Sequence, residues 1–139
     1  MSIFIGVLIA SIYYVYIFTP EKLFLMPLQK TTLWIALLFI YSIFSVIPQE
    51  IIYRSFFFMR YNELFKNEKL KILINAIVFS LAHLFFRNIL VLVITFVGGL
   101  LFAYTYTKTR SLLLVSIEHA LYGCCLLTVG LGDQLGFPS

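Results

Sequence analysis

The residues of this sequence that could do chemistry are polar and ionisable side chains inside long apolar stretches. They form three groups along the chain: Gln49, Glu50 and Arg54, then His83, and finally Glu118 with His119. Both histidines of the protein are among them. A charged side chain at the centre of a bilayer costs about 2.5–3.5 kcal/mol on insertion scales, so such residues usually face a partner or a water-filled cavity. Taken together, the three groups indicate a functional site.

The spacing of these residues indicates which contacts they make. Glu50 and Arg54 are four residues apart, which places a carboxylate and a guanidinium on one helical face where they can pair. Phe79 and His83 have the same spacing, so the ring can pack beside the imidazole. A carboxylate near neutral imidazoles can activate a water molecule, or it can bind a divalent metal with an open position. Glu50, His83 and His119 are therefore candidate metal ligands, with zinc as the candidate ion. A structural ion pair and hydrogen-bonded packing histidines are the alternative for each group taken singly.

The composition indicates which kind of element positions these side chains. Of the 139 residues, 62% are hydrophobic and 12% are charged, and the mean hydropathy is +1.02. Soluble domains are about half apolar and about one quarter charged. A chain this apolar needs lipid to cover its surface, which predicts an all-α, polytopic transmembrane helix bundle. The net charge of +4 comes without a cluster of basic and aromatic residues, so we expect membrane lipid and no nucleic acid as a partner.

The apolar stretches with few or no formal charges predict about five membrane spans, each needing roughly 20 mostly apolar residues. They run near Ser2–Phe18, Thr31–Glu50, Ile72–Phe86, Ile89–Thr107 and Ser111–Leu131. The second helix is expected to continue through Pro48 to Arg60 with a kink at the proline. The charged stretch Tyr61–Lys71 is predicted to be a surface loop, and Ser111 is a candidate N-cap. We divide the chain into an N-terminal helix and loop, residues 1–30, and a core, residues 31–139.

Three segments resemble, in order, the motifs of a known family of membrane proteins. Gln49–Arg54 is similar to an EExxxR motif, Phe79–His83 to FxxxH, and the segment beginning at His119 to HxxxN or HxxxD. These are the motifs of the CPBP family of intramembrane proteases, which are related to type II CaaX prenyl endopeptidases and are also called Abi or bacteriocin self-immunity proteins. The resemblance extends over roughly residues 37–132.

The resemblance implies a function and a role for each matching residue. A glutamate and a histidine, here Glu50 and His83, would activate water to attack a peptide carbonyl within the membrane. His119, on the later helix, would polarise the oxyanion, and Arg54 would hold the glutamate in place. The implied substrate is a hydrophobic peptide or a prenylated protein.

The sequence departs from the motifs of this family at two positions. Gln49 replaces the first glutamate, and an amide cannot accept the proton that this glutamate would take. Gly123 stands where the third motif has Asn or Asp. Glu118 is a candidate substitute for the glutamate, although it lies about 100° around the helix from His119. Asn88 is a candidate for the missing polar contact, and helix capping is the alternative role for it.

We therefore predict an intramembrane endopeptidase in which a glutamate and a histidine, with or without a metal, activate water. The alternative is a catalytically inactive family member that acts as a membrane binding or immunity protein. A small transporter with a proton relay is a third hypothesis. In each case we expect a multi-pass protein of the bacterial inner (plasma) membrane.

Overall fold

The computed structural model describes residues 2–137, and the chain is helical over most of this range. Its α-helices are α1 (Ser2–Phe18), α2 (Leu25–Gln29), α3 (Thr31–Arg60), α4 (Glu68–Leu81), α5 (Ile89–Thr109) and α6 (Leu112–Val129). Short 3-10 turns lie at Pro20–Lys22, Leu84–Phe86 and Asp133–Leu135. The described residues include no β-strand. The prediction of an all-α fold is confirmed.

Four helical stretches of the described chain are long and apolar enough to cross a membrane. They are Thr31–Arg60, Glu68–Phe86, Ile89–Thr109 and Leu112–Val129. Helix α1 is shorter, and its 17 residues would span about 25 Å, near the lower limit for a membrane crossing. The architecture agrees with the predicted bundle of about five spans, and the protein is an integral, multi-pass membrane protein.

Helix α3 continues through Pro48 to Arg60, as predicted. Proline has no N–H group and its ring crowds the carbonyl one turn earlier, so a regular α-helical ladder is disturbed at this point. In α3 the disturbance takes the form of two π-helical segments, Tyr41–Val46 and Ile51–Phe56, on either side of the proline. Such wider turns are frequent at functional sites, and Arg54 lies within the second one.

The loop after α3 is shorter than predicted. We expected a loop over Tyr61–Lys71, but α4 begins at Glu68. The side-chain oxygen of Asn67 accepts two N–H groups of the first turn and caps the helix. The charges near Glu68 therefore belong to a helix terminus, where an acidic residue is favoured by the helix dipole. The predicted cap of α6 is found, because the Ser111 hydroxyl accepts the N–H of Leu114 at 3.2 Å.

The described chain forms two compact units. One consists of Phe44–His119, and the other consists of the described residues on either side of it. In the first unit α4 and α5 pack closely at Gly99, where a Cβ atom would lie 3.0 Å from the Cα of Ala76 and 3.2 Å from the Phe79 ring. Small residues allow this kind of close helix approach in membrane proteins. The division at residue 30 stays a prediction.

The second unit explains why position 123 is a glycine. A Cβ atom on Gly123 would overlap the hydroxyl and ring of Tyr41, which is itself buried. The same unit is held by a hydrogen bond of 3.1 Å from the Trp34 indole to the Thr128 hydroxyl. The residue that departs from the HxxxN pattern is therefore required by local packing.

Candidate active site

A cluster of buried polar side chains lies in the first unit. Glu50 and Arg54 come from α3, Asn75 from α4 and His119 from α6. The first three are fully buried, and His119 is 7% exposed. Burying such groups without partners would cost several kcal/mol each, so the contacts between them decide whether the cluster is stable.

The Glu50 carboxylate lies between two cationic or donor groups. Its Oε1 atom is 2.7 Å from Nδ1 of His119, and its Oε2 atom is 3.2 Å from Nε of Arg54. An ionised carboxylate can only accept hydrogen bonds, so the hydrogen in the first contact belongs to Nδ1 of His119. In the neutral imidazole the lone pair is then on Nε2, which is the atom that can take a proton. The predicted pairing of Glu50 with Arg54 is present.

Arg54 is held by an amide and by aromatic rings. Its Nη1 atom donates to Oδ1 of Asn75 at 2.9 Å, and Nδ2 of Asn75 donates to the carbonyl oxygen of Tyr53 at 2.5 Å. The guanidinium carbon is 4.7 Å from the centre of the Phe79 ring and 5.8 Å from that of Phe102. A cation over a ring face is favourable, and more so where water is excluded. These contacts fix the direction in which the guanidinium points.

The two histidines contact the same phenyl ring. The centre of the Phe79 ring is 4.9 Å from that of His83 and 5.7 Å from that of His119, and Phe102 stacks on His119 at 4.6 Å. Nδ1 of the half-buried His83 lies 2.8 Å from the Phe79 carbonyl oxygen. A carbonyl only accepts, so Nδ1 carries the hydrogen and Nε2 again carries the lone pair.

The two remaining acidic or amide candidates have other contacts. The Gln49 side chain is half-buried, and its Nε2 atom donates to the Ser45 hydroxyl at 2.8 Å. Glu118 is half-buried, and the Oε2 atom of its carboxylate has no hydrogen-bond partner among the described residues. Glu118 interacts electrostatically with Glu50 and Arg54 of the cluster. Its use as a substitute base stays a prediction.

Asn88 serves as the N-cap of α5. Its side-chain oxygen accepts the N–H of Leu90 at 2.9 Å and that of Val91 at 3.4 Å. This is the capping role that the sequence left open as an alternative. A catalytic contact by Asn88 stays a prediction.

The predicted metal ligands do not assemble into a metal site in the described residues. No group of three His, Cys, Asp or Glu side chains there is arranged to hold an ion. The reason is visible at Glu50, because one oxygen contacts Nδ1 of His119 and the other contacts Arg54. A structural or catalytic zinc needs at least three protein ligands that converge on it. The set Glu50, His83 and His119 does not fit that requirement.

Asn75 of the cluster and Phe102, which packs against it, were not predicted from the sequence. Asn75 had a detectable signal, because it is a lone amide one helical turn before Phe79 and two turns before His83. Phe102 had none, since it is one of fifteen phenylalanines in an apolar chain. Its position against His119 follows only from the packing of α5 and α6.

Comparison with known proteins adds one finding. The sequence profile described as type II CAAX prenyl endopeptidase Rce1-like matches residues 31–125, which is more than half of the chain. The matched range includes all residues of the buried cluster. Neither the curated proteins nor the solved structures gave a significant match.

Proposed function

We propose, since the chain belongs to the type II CAAX prenyl endopeptidase Rce1-like family, that it is an intramembrane endopeptidase acting on a hydrophobic or prenylated peptide. The observation that carries this proposal is the contact of 2.7 Å between Nδ1 of His119 and Oε1 of Glu50. A carboxylate bound to one imidazole nitrogen orients the ring and makes the other nitrogen a better base. A bacterial inner-membrane location remains a prediction.

The geometry favours His119 as the general base and Glu50 as the residue that orients it. Oε1 of Glu50 is already bonded to His119, and Oε2 lies 3.2 Å from Arg54 in an ion pair without a hydrogen bond, so we assign the proton transfer to the imidazole. In the motif that the chain resembles, the base is the first of the two glutamates, whose place is taken here by Gln49, and an amide cannot accept the proton. We therefore assign the general base role to the imidazole of His119, which Glu50 orients.

The proposed reaction uses water and the side chains of the chain. Nε2 of His119 takes a proton from water while the water oxygen attacks the peptide carbonyl carbon. The carbonyl π electrons move to its oxygen, and Glu50 stabilises the imidazolium through the hydrogen on Nδ1. The oxyanion electrons then re-form the C=O bond as the C–N bond breaks, and the imidazolium gives its proton to the leaving nitrogen, which yields a carboxyl group and an amine. A positioned general base of this kind contributes about 10²–10⁴-fold to a rate.

His83 has a supporting role in this proposal. Its Nδ1 hydrogen is held by the Phe79 carbonyl, so Nε2 is an acceptor in the neutral ring. A neutral imidazole with a free Nε2 acceptor can accept a hydrogen from a water molecule and help to orient it. The water oxygen would then present a lone pair to the substrate carbonyl.

A second candidate function is membrane binding or immunity without catalysis. It is favoured by Gln49, whose amide is engaged with Ser45, and by Gly123, whose side-chain space is taken by Tyr41. In that case the pair Glu50 and Arg54 would serve only to join helices, which is a common use of polar residues in membranes.

Peptide cleavage by the purified protein distinguishes the two functions. The protein would be reconstituted in nanodiscs and incubated with a fluorogenic library of prenylated and unprenylated peptides. We expect cleavage that falls about 10²–10⁴-fold in Glu50→Gln. The matched control is Glu68→Gln, which makes the same change at a carboxylate on the exposed end of α4 and should cleave like the wild type. A well-folded wild type that cleaves no peptide would support the binding function instead.

A further inference from the structure

We propose that Asn75 is a positioning residue, which holds Arg54 and through it the Glu50–His119 pair. This inference rests on the proposed function, because it concerns the same site. Asn75 lies on α4, outside the three sequence motifs, and its side chain makes two hydrogen bonds to successive residues of α3.

The two hydrogen bonds require a side chain that both donates and accepts. The guanidinium of Arg54 can only donate, so it needs the Oδ1 atom of Asn75. The carbonyl of Tyr53 can only accept, so it needs the Nδ2 atom. Asn75 is fully buried, where an amide without partners would cost free energy. Its carboxamide satisfies both groups in one orientation.

The place where Asn75 binds is the irregular part of α3. Tyr53 and Arg54 lie within the π-helical segment Ile51–Phe56, which follows Glu50 directly. A π turn is an uncommon conformation that persists when its surroundings stabilise it. By bonding to the main chain of Tyr53 and to the side chain of Arg54, Asn75 fixes this turn from outside the helix.

The effect of Asn75 is transmitted to the base through two further contacts. With Nη1 held by Asn75, the guanidinium stays in an ion pair with Glu50, in which Nε lies 3.2 Å from Oε2 without forming a hydrogen bond. The other Glu50 oxygen holds His119 at 2.7 Å. The Phe79 ring lies 4.7 Å from the guanidinium carbon but allows rotation within the plane of the guanidinium. The hydrogen bond from Arg54 to Asn75 therefore fixes the in-plane orientation of the guanidinium, which stacking on Phe79 leaves free.

Two substitutions separate the hydrogen bonds of Asn75. Asn75→Leu is similar in size and removes both bonds. Asn75→Asp keeps an acceptor for Arg54 and loses the donor to Tyr53. The matched control is Ser80→Ala, because the buried Ser80 hydroxyl donates to the Leu92 carbonyl at 2.8 Å and joins α4 to α5 away from Arg54.

The first readout is steady-state cleavage in nanodiscs. We expect Asn75→Leu to lower kcat about 10- to 100-fold with little change in KM, because a small displacement of a catalytic group slows the reaction without removing substrate contacts. Asn75→Asp keeps an acceptor for Arg54 and should lose less of the rate than Asn75→Leu, and Ser80→Ala should retain the full rate. Equal losses of kcat in Asn75→Leu and Ser80→Ala would overturn the inference, since they would indicate a general packing effect.

The second readout does not depend on catalysis. In protein labelled with 15N-histidine, the Nδ1 hydrogen of a ring bound to a carboxylate gives a proton signal shifted far downfield. We expect this His119 signal to move or disappear in Asn75→Leu and to stay unchanged in Ser80→Ala. If the wild type cleaves no peptide, the proposed function fails and this signal alone decides the inference. An unchanged signal in folded Asn75→Leu protein would overturn it.

Discussion

The contribution of the Arg54–Glu50 pair to stability can be measured with a double-mutant cycle. Arg54 and Glu50 are both fully buried and 3.2 Å apart. Arg54→Met removes the cation and leaves the carboxylate buried with only His119 as a partner. Breaking one side of a buried pair costs about 3–5 kcal/mol. We therefore expect Arg54→Met to lower the free energy of unfolding by that amount.

The double variant distinguishes a charge effect from lost packing. Glu50→Gln/Arg54→Met carries no charge at either position, so it should be more stable than Arg54→Met alone. An ordinary interhelical hydrogen bond in a membrane protein contributes about 0.6 kcal/mol on average. We expect a coupling energy of about 2 kcal/mol or more, which is clearly above that value and above the additivity error of about 0.5 kcal/mol.

The assay is reversible unfolding in bicelles by steric trapping, with each variant compared with the wild type under identical lipid conditions. Leu113→Ala serves as the matched control, because this large side chain is exposed on the surface of α6 and its loss should change stability little. Additive free energies for the two substitutions would refute the reasoning, since they would mean that the buried pair carries no specific charge interaction.

Three further predictions concern other parts of the chain. Gly123→Ala should destabilise the protein, because the added methyl group would overlap Tyr41, whereas Gly6→Ala has open space around it and serves as the control. Thermal denaturation should show a lower Tm only for Gly123→Ala, and adding Tyr41→Ala to that variant should restore part of the lost stability. Lys108→Gln should lower stability by less than about 1 kcal/mol in chemical denaturation, because its pair with Glu68 is more than half exposed to the surroundings; a larger loss would contradict this. A strong chelator should leave peptide cleavage unchanged, because the buried carboxylate already contacts its arginine and histidine partners; inhibition that zinc reverses would contradict this prediction.

Much of the fold could be predicted from the sequence because the membrane imposes simple rules. Apolar stretches without charge must be helices of a certain length, so the spans and the continuous helix through Pro48 were found from the position of the charges. The loop after Arg60 was predicted too long, because charges at the start of a helix look the same as charges in a loop. Only the capping contact of Asn67 shows that the charges near Glu68 lie at the start of a helix and not in a loop.

The candidate site could be predicted only where its contacts are local. The contacts Glu50–Arg54 and Phe79–His83 follow from a spacing of four residues, and both are present. The partner of His119 could not be predicted in this way, since Glu50 lies 69 residues earlier and meets it through tertiary packing. The expectation of a metal at Glu50, His83 and His119 stays a prediction. In the described residues Glu50 contacts His119 and Arg54, and Nδ1 of His83 bonds the Phe79 carbonyl oxygen.

The most direct test of the central claim is whether Glu50 and His119 act as one catalytic unit. The measurement is kcat/KM for peptide cleavage by Glu50→Gln, His119→Gln and the double variant, each purified and reconstituted at the same level. If Glu50 works by orienting His119, the double variant should be no slower than His119→Gln alone, because residues that act as a unit show strongly non-additive losses. If the two losses multiply, or if His119→Gln cleaves like the wild type, the account of a carboxylate-oriented histidine base is wrong.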